Sequence, residues 1–103
     1  MPKFSVNAEV IGKDYLHNKS QTKEFYNNKT IEIEGYVDSF FNNNAQIVII
    51  ESINSLTITC HLYIDEQNKK VFNSLKKGEK IKVFGNCQIL ENGITLEESY
   101  LRK

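Results

Sequence analysis

A chain of 103 residues has the length of one domain and can bury one hydrophobic core, not two. Its 13 basic and 13 acidic residues cancel to a formal charge of zero, which argues against the strong, non-specific grip on phosphate that a basic excess supplies. Two cysteines are too few for a disulfide framework, and no apolar run is long enough to span a bilayer.

From the N-terminus, Met1-Pro2-Lys3-Phe4 lacks the apolar stretch and small-residue cleavage site of a signal peptide. The chain as written is expected to be cytoplasmic, or envelope-associated if a targeting segment was trimmed. Ser5 reads as the N-cap of a helix over residues 5–17, with Val6, Val10, Ile11 and Leu16, behind Tyr15, as its apolar stripe. Gly12 weakens that helix by about 1 kcal/mol relative to alanine. A second helical turn over residues 21–26 ends at Asn27-Asn28. Residues 1–28 thus read as a helical segment expected to plug one open end of a barrel built by the rest of the chain.

Residues 29–103 read as three strands, a short helix and two more strands. In residues 30–41, Ile31, Ile33, Gly35 and Val37 alternate with Glu32, Glu34, Tyr36 and Asp38, the period of a strand with one buried face. Gly35 in mid-strand predicts a bulge or sharp bend. Asn42-Asn43-Asn44 is a turn into residues 45–51, a nearly continuous apolar run, and residues 52–55 turn again. Leu56, Ile58, Cys60, Leu62 and Ile64 then alternate with Thr57, Thr59, His61 and Tyr63. Asp65 caps a helix to about Leu75 with Val71, Phe72 and Leu75 as its apolar face, and Lys76-Lys77-Gly78 closes it with cations and a C-cap glycine. Ile81, Val83, Gly85, Cys87 and Ile89 face inward on the fourth strand, Glu91-Asn92-Gly93 is a hairpin turn, and residues 94–101 form the last strand. This order is the layout of the OB-fold, a mainly β, five-stranded Greek-key barrel, here with an N-terminal helix and a helix between strands 3 and 4. With no repeat or linker, residues 1–103 are expected to form one domain.

The same residues resemble a known family over nearly the whole chain. The likeness runs through Tyr15, Asn18 and Tyr26, then Lys29-x-Ile31-x-Ile33-x-Gly35-x-Val37, Thr59-Cys60, Leu75-Lys76-Lys77-Gly78, Val83-x-Gly85-x-Cys87 and Ile94-x-Leu96. It is similar to the bacterial tRNA-anti-like OB-fold domains, named for their likeness to anticodon-binding domains. The chain departs from that pattern at Asn28, where a glycine would precede Lys29, and at Ser99, where a cysteine often follows the last apolar pair. The resemblance implies an OB-fold with an N-terminal helix and an envelope-associated origin; it does not imply tRNA binding.

An OB-fold usually takes its ligand across strands 2 and 3. Strand parity turns Tyr36, Phe40, Thr57, Thr59, His61 and Tyr63 outward. Tyr36, Phe40, His61 and Tyr63 are the candidate ligand contacts, since exposed rings can stack bases. Packing against the N-terminal helix would equally cover some rings, and Glu32, Glu34 and Asp38 would repel phosphate. Lys69, Lys70, Lys76, Lys77, Lys80 and Lys82 crowd the helix-to-strand corner; Lys76, Lys77, Lys80 and Lys82 are the candidate basic patch, and a solvated helix end is the plainer reading. Cys60 and Cys87 sit at inward positions as free thiols. His17 and His61 have no partner at ligand spacing, so neither a metal nor another cofactor is expected. Glu97-Glu98 on a strand would point to opposite faces rather than act as a pair. Asn18-Lys19-Ser20 and Asn28-Lys29-Thr30 match the glycosylation pattern, which has meaning only in a secreted eukaryotic protein. The expectation is a non-catalytic binding module. Its partner is a single-stranded nucleic acid or a protein, and a continuous positive groove beside exposed rings would favour the first, an acidic apolar patch the second.

Overall fold

The computed structural model describes residues 5–42 and 46–102. Asn43-Asn44 of the expected turn, Ala45 at the expected strand start and the Met1-Pro2-Lys3-Phe4 segment lie outside the described residues. The elements are β1 (Ser5–Asn7), α1 (Ala8–His17), α2 (Lys19–Tyr26), β2 (Thr30–Asn42), β3 (Gln46–Glu51), β4 (Thr57–Leu62), α3 (Glu66–Asn73), β5 (Lys80–Leu90) and β6 (Gly93–Arg102). The strands run in the order β1-β2-β3-β4-β6-β5, and β2 pairs back onto β5 to close the barrel. The β4–β6 pairing is parallel, whereas β2–β3, β3–β4, β2–β5 and β5–β6 are antiparallel. β2 serves both neighbours, β5 with Thr30–Tyr36 and β3 with Tyr36–Asn42. This is the OB barrel expected from the sequence: mainly β, with two helices, α1 and α2, before it and α3 between its third and fourth strands.

The alternation that defines the strands also fills the barrel. Ile31, Ile33, Val48, Ile50, Ile58 and Val83 are all completely buried, so period two places one apolar row per strand inside. Gly35 is not itself the bulge, and it makes room for a neighbour. A Cβ there would stand 2.5 Å from Ile50 Cγ2 and 2.9 Å from Ala8 Cβ, so glycine lets α1 approach the sheet closely. The bulge lies further on, between Val37 and Ser39.

The N-terminal segment differs from its sequence reading in start and in face. Ser5 is not a cap; it belongs to β1, which runs parallel to β2 with Ser5 opposite Glu32. Asn7 caps α1, its side chain accepting from the Glu9 N–H at 2.8 Å. The buried face is Ala8, Ile11, Gly12 and Tyr15, at i, i+3, i+4 and i+7, while Val10 and Leu16 are about half exposed. Ala8 and Gly12 share that face with Ile11 and Tyr15 because the helix comes close to the barrel at those two positions. The Tyr15 hydroxyl reaches the carbonyls of Leu90 and Glu91, tying α1 to the β5–β6 hairpin. Asn18 ends α1 through its N–H and starts α2 by accepting from the Gln21 N–H, which makes the corner between the helices.

Three further expectations are corrected. Ile64 is 82% exposed rather than inward, because β4 stops at Leu62 before Asp65 caps α3. Lys76-Lys77-Gly78 does not close α3, which already ends at Asn73 with Ser74 as cap. It forms a separate turn, closed by the Glu79 N–H on the Lys76 carbonyl, with Gly78 at φ +86° and its N–H bonded to Val37. Glu97 and Glu98 do not alternate: Glu98 takes φ +50° in a bulge opposite Gly85, and the inward row resumes at Ser99 and Leu101.

Candidate nucleic-acid interface

The barrel presents two outer faces of different chemistry. Across β2, β3 and β4, Phe41 stands opposite Ile47 and Ile47 opposite His61, with Ser39, Ile49 and Thr59 in the next row. Phe41 is 51% exposed, and Ile47 and Ile49 are half-buried on their outer sides. Asp38, Glu51 and Glu97 supply its charge, and His61 Nδ1 lies 2.6 Å from Glu97 Oε2. No lysine or arginine lies in the paired rows of this face among the described residues. It is an acidic, apolar patch.

The second face is built by the first half of β2, β5 and the end of β6. Tyr36 is opposite Lys80, Glu34 opposite Lys82 and Glu32 opposite Phe84, while on the other side Lys82 meets Arg102 and Phe84 meets Tyr100. The rings form a ladder: Phe84 and Tyr100 stack at 5.2 Å and 19°, Tyr100 and Tyr63 at 5.6 Å and 29°. The Arg102 guanidinium covers the outer end, 4.7 Å from the Phe84 centroid. Lys80 and Lys82 flank Glu34 at 3.2 and 3.9 Å, and Arg102 lies 3.9 Å from Glu32. In each pair the acid lies deeper. The side chains of Glu32 and Glu34 are 12% and 30% exposed, against 57%, 49% and 54% for Lys80, Lys82 and Arg102. Desolvation, with Tyr63, Asp65 and Glu98 nearby, holds the Tyr100 phenol above its ordinary pKa.

The candidate residues named from the sequence therefore separate. Tyr36, Tyr63, Lys80 and Lys82 share the second face, His61 belongs to the first, and Phe40 to neither. The bulge after Val37 reverses the parity of β2, so Phe40 falls opposite the buried Val48 and packs edge-on to Phe72 at 5.8 Å, while one side of it stays in solvent at 37% exposure. Phe41 takes the outward position that parity had assigned to Phe40. Lys76 and Lys77 stand in the turn before β5, and Lys69 and Lys70 are exposed on α3. Phe84, Tyr100 and Arg102 were not candidates. The common parity of Lys80, Lys82 and Phe84 was a readable signal, but the shift at Glu98 hid that Tyr100 and Arg102 join them.

A model of the tRNA-anti-like family matches residues 2–100. The chain belongs to the tRNA-anti-like family. Its fold is shared with solved structures at low identity. A Klebsiella pneumoniae subsp. pneumoniae lipoprotein, whose name carries nucleic-acid binding as a conjecture, matches at 14% identity and TM-score 0.72 over 94% of this chain and 91% of that one. A chain of the S. pombe Stn1–Ten1 complex matches at 17% and 0.58, over 71% of this chain and 56% of that one. A chain of a replication protein A heterotrimer bound to single-stranded DNA matches at 12% and 0.53, over 71% and 55%. This chain thus spans little more than half of those two. No curated protein matches the sequence.

The two departures from the tRNA-anti-like pattern have structural settings. Asn28 adopts φ +64°, a left-handed conformation where glycine is the default and asparagine is tolerated. Ser99 is completely buried against Gly85. Among the described residues no group of three His, Cys, Asp or Glu side chains could hold a metal ion, and no helix is long and apolar enough to cross a membrane.

Proposed function

We propose that this tRNA-anti-like chain is a non-catalytic module that binds single-stranded nucleic acid on the face made by β2, β5 and β6. The observation that carries this reading is the interleaving of solvent-facing cations with rings. Lys80, Lys82 and Arg102 lie above their acidic partners, beside the Phe84–Tyr100–Tyr63 ladder and Tyr36. Such a surface gives a strand both phosphate contacts and π-faces, and needs no base-specific pocket. The single-stranded DNA on the replication protein A relative makes that ligand class an apt first test. Labelled single-stranded DNA and RNA oligomers, followed by fluorescence anisotropy at low and physiological salt, are expected to bind the wild type. Tyr63→Ala and Tyr36→Ala should each weaken binding by about tenfold, the scale of one lost stacking contact. No binding at low salt ends the nucleic-acid reading.

A second reading has its own support. The Phe41–Ile47–Ile49 patch, ringed by Asp38, Glu51 and Glu97, suits a protein segment with apolar and basic side chains. Loss of a partner on Phe41→Ser, with oligomer binding absent throughout, would favour it.

A further inference from the structure

Glu32 and Glu34 sit beneath the proposed strand path, and they are badly placed for a surface that exists only to attract phosphate. Both lie on β2 with cations as cross-strand or diagonal neighbours. Glu34 stands opposite Lys82 and reaches Lys80 at 3.2 Å, and Glu32 accepts from Ser5 Oγ at 3.1 Å while lying 3.9 Å from Arg102. Three cations over two carboxylates leave the band with a net charge of one.

We propose that Glu32 and Glu34 are built-in competitors for the phosphate backbone and set the affinity of this face low. The inference rests on the nucleic-acid reading above. An incoming phosphate must draw Lys80, Lys82 or Arg102 away from a carboxylate that is more buried than the cation and fixed to a strand. The cations are long, flexible and about half exposed, so they can swing from acid to phosphate, whereas the acids cannot follow. Binding then neutralises only the net charge of the band. The logarithm of affinity should fall with the logarithm of salt at a slope near ~0.7, the value for about one phosphate on a single strand.

Removing the competitors should tighten binding, the reverse of what most site substitutions do. Glu34→Gln is expected to raise low-salt affinity by about three- to tenfold and to steepen the salt slope by ~0.7; the pair Glu32→Gln and Glu34→Gln should steepen it by ~1.4. Glutamine can still accept from Ser5, so the β1 contact survives. Glu91→Gln is the control: it adds the same unit of charge, but on the β5–β6 hairpin beside Lys19. It is expected to leave affinity and slope unchanged.

The outcomes separate the two claims. If the wild type binds, Phe84→Ala weakens binding, and the Glu variants are unchanged or weaker, the competitor inference is overturned while the nucleic-acid reading stands. Equal tightening by Glu91→Gln would make the effect one of overall charge, which also overturns it. If wild type and every variant fail to bind at low salt, both fall together.

Discussion

Asn68 is 1% exposed and uses its whole side chain on backbone. Its amide nitrogen donates to the carbonyls of Tyr63 at 2.7 Å and Ser99 at 2.9 Å, and its oxygen accepts from the Leu101 N–H at 2.9 Å. It therefore fixes the start of α3 to the bulged end of β6, below the ring ladder. Asn68→Ala would remove a partner from the Tyr63 carbonyl and orphan the buried Leu101 N–H, while the Ser99 carbonyl keeps the Tyr63 N–H at 2.9 Å; urea unfolding should show a loss of about 1–3 kcal/mol. Ser99, its neighbour, presents the opposite case. Its buried hydroxyl has no hydrogen-bond partner among the described residues, so Ser99→Ala is expected to stabilise by about 1 kcal/mol. Thermal melting should show a rise of about 4–8 °C, and a lower Tm would mean that the hydroxyl is satisfied. Cys60 and Cys87 are buried free thiols on either side of Leu96. Burial raises both from the ordinary thiol value of 9.0: Cys87 up to about 12, and Cys60 further, with Cys87 and Glu97 adding to it. A group whose folded pKa is raised gives full stability below its unfolded pKa and loses it as pH rises through the folded one. Stability should therefore fall above pH 9 by about 1.4 kcal/mol per pH unit per thiol. Cys87→Ala should reduce that alkaline slope, whatever it does to stability at neutral pH.

At the scale of elements, close approach decides where α1 lies. Gly35→Ala would drive a methyl group into Ile50 and Ala8, and Gly12 faces Ser52, whose hydroxyl donates to the Ala8 carbonyl. Gly35→Ala should cost about 1–3 kcal/mol in denaturant unfolding and expose amides of α1 to exchange before those of β5. The same feature explains what could be read in advance. The rows Ile31–Ile33, Ile58–Cys60 and Ile81–Val83 were legible because period two survives any packing partner. The burial of Ala8 and Gly12 was not, because small residues carry no hydrophobic signal until the barrel beneath them is known. Bulges were the second blind spot. One extra residue at Asp38 set Phe40, still 37% exposed, in register with the buried Val48 and put Phe41 in the outward row, and one at Glu98 aligned Tyr100 and Arg102 with Phe84. Tyr36 and Tyr63 were visible from strand parity, and Lys80 and Lys82 from their crowding in sequence; the centre of the candidate site required the register of three strands.

At the scale of the whole molecule, a formal charge of zero conceals a separation of charge. The face across β3 and β4 carries Asp38, Glu51 and Glu97, whereas the cations of the other face, Lys80, Lys82 and Arg102, stand further into solvent than their partners Glu32 and Glu34. Near the sequence pI of 6.7 there is no net repulsion to keep copies apart, so the two faces should attract one another between molecules. The contact would be head-to-tail, since the faces differ, and such contacts do not close into a dimer. It should also be screened, because the Debye length falls to ~8 Å at physiological salt. Static light scattering at pH 6.7 is therefore expected to give a negative second virial coefficient at low salt that rises as salt is added. Lys82→Glu, which reverses a charge on the cationic face, should make the low-salt value positive. A wild-type coefficient that is positive at low salt and falls with added salt would mean that ordinary like-charge repulsion governs the molecule. The two faces would then be too weakly polarised to steer a charged partner.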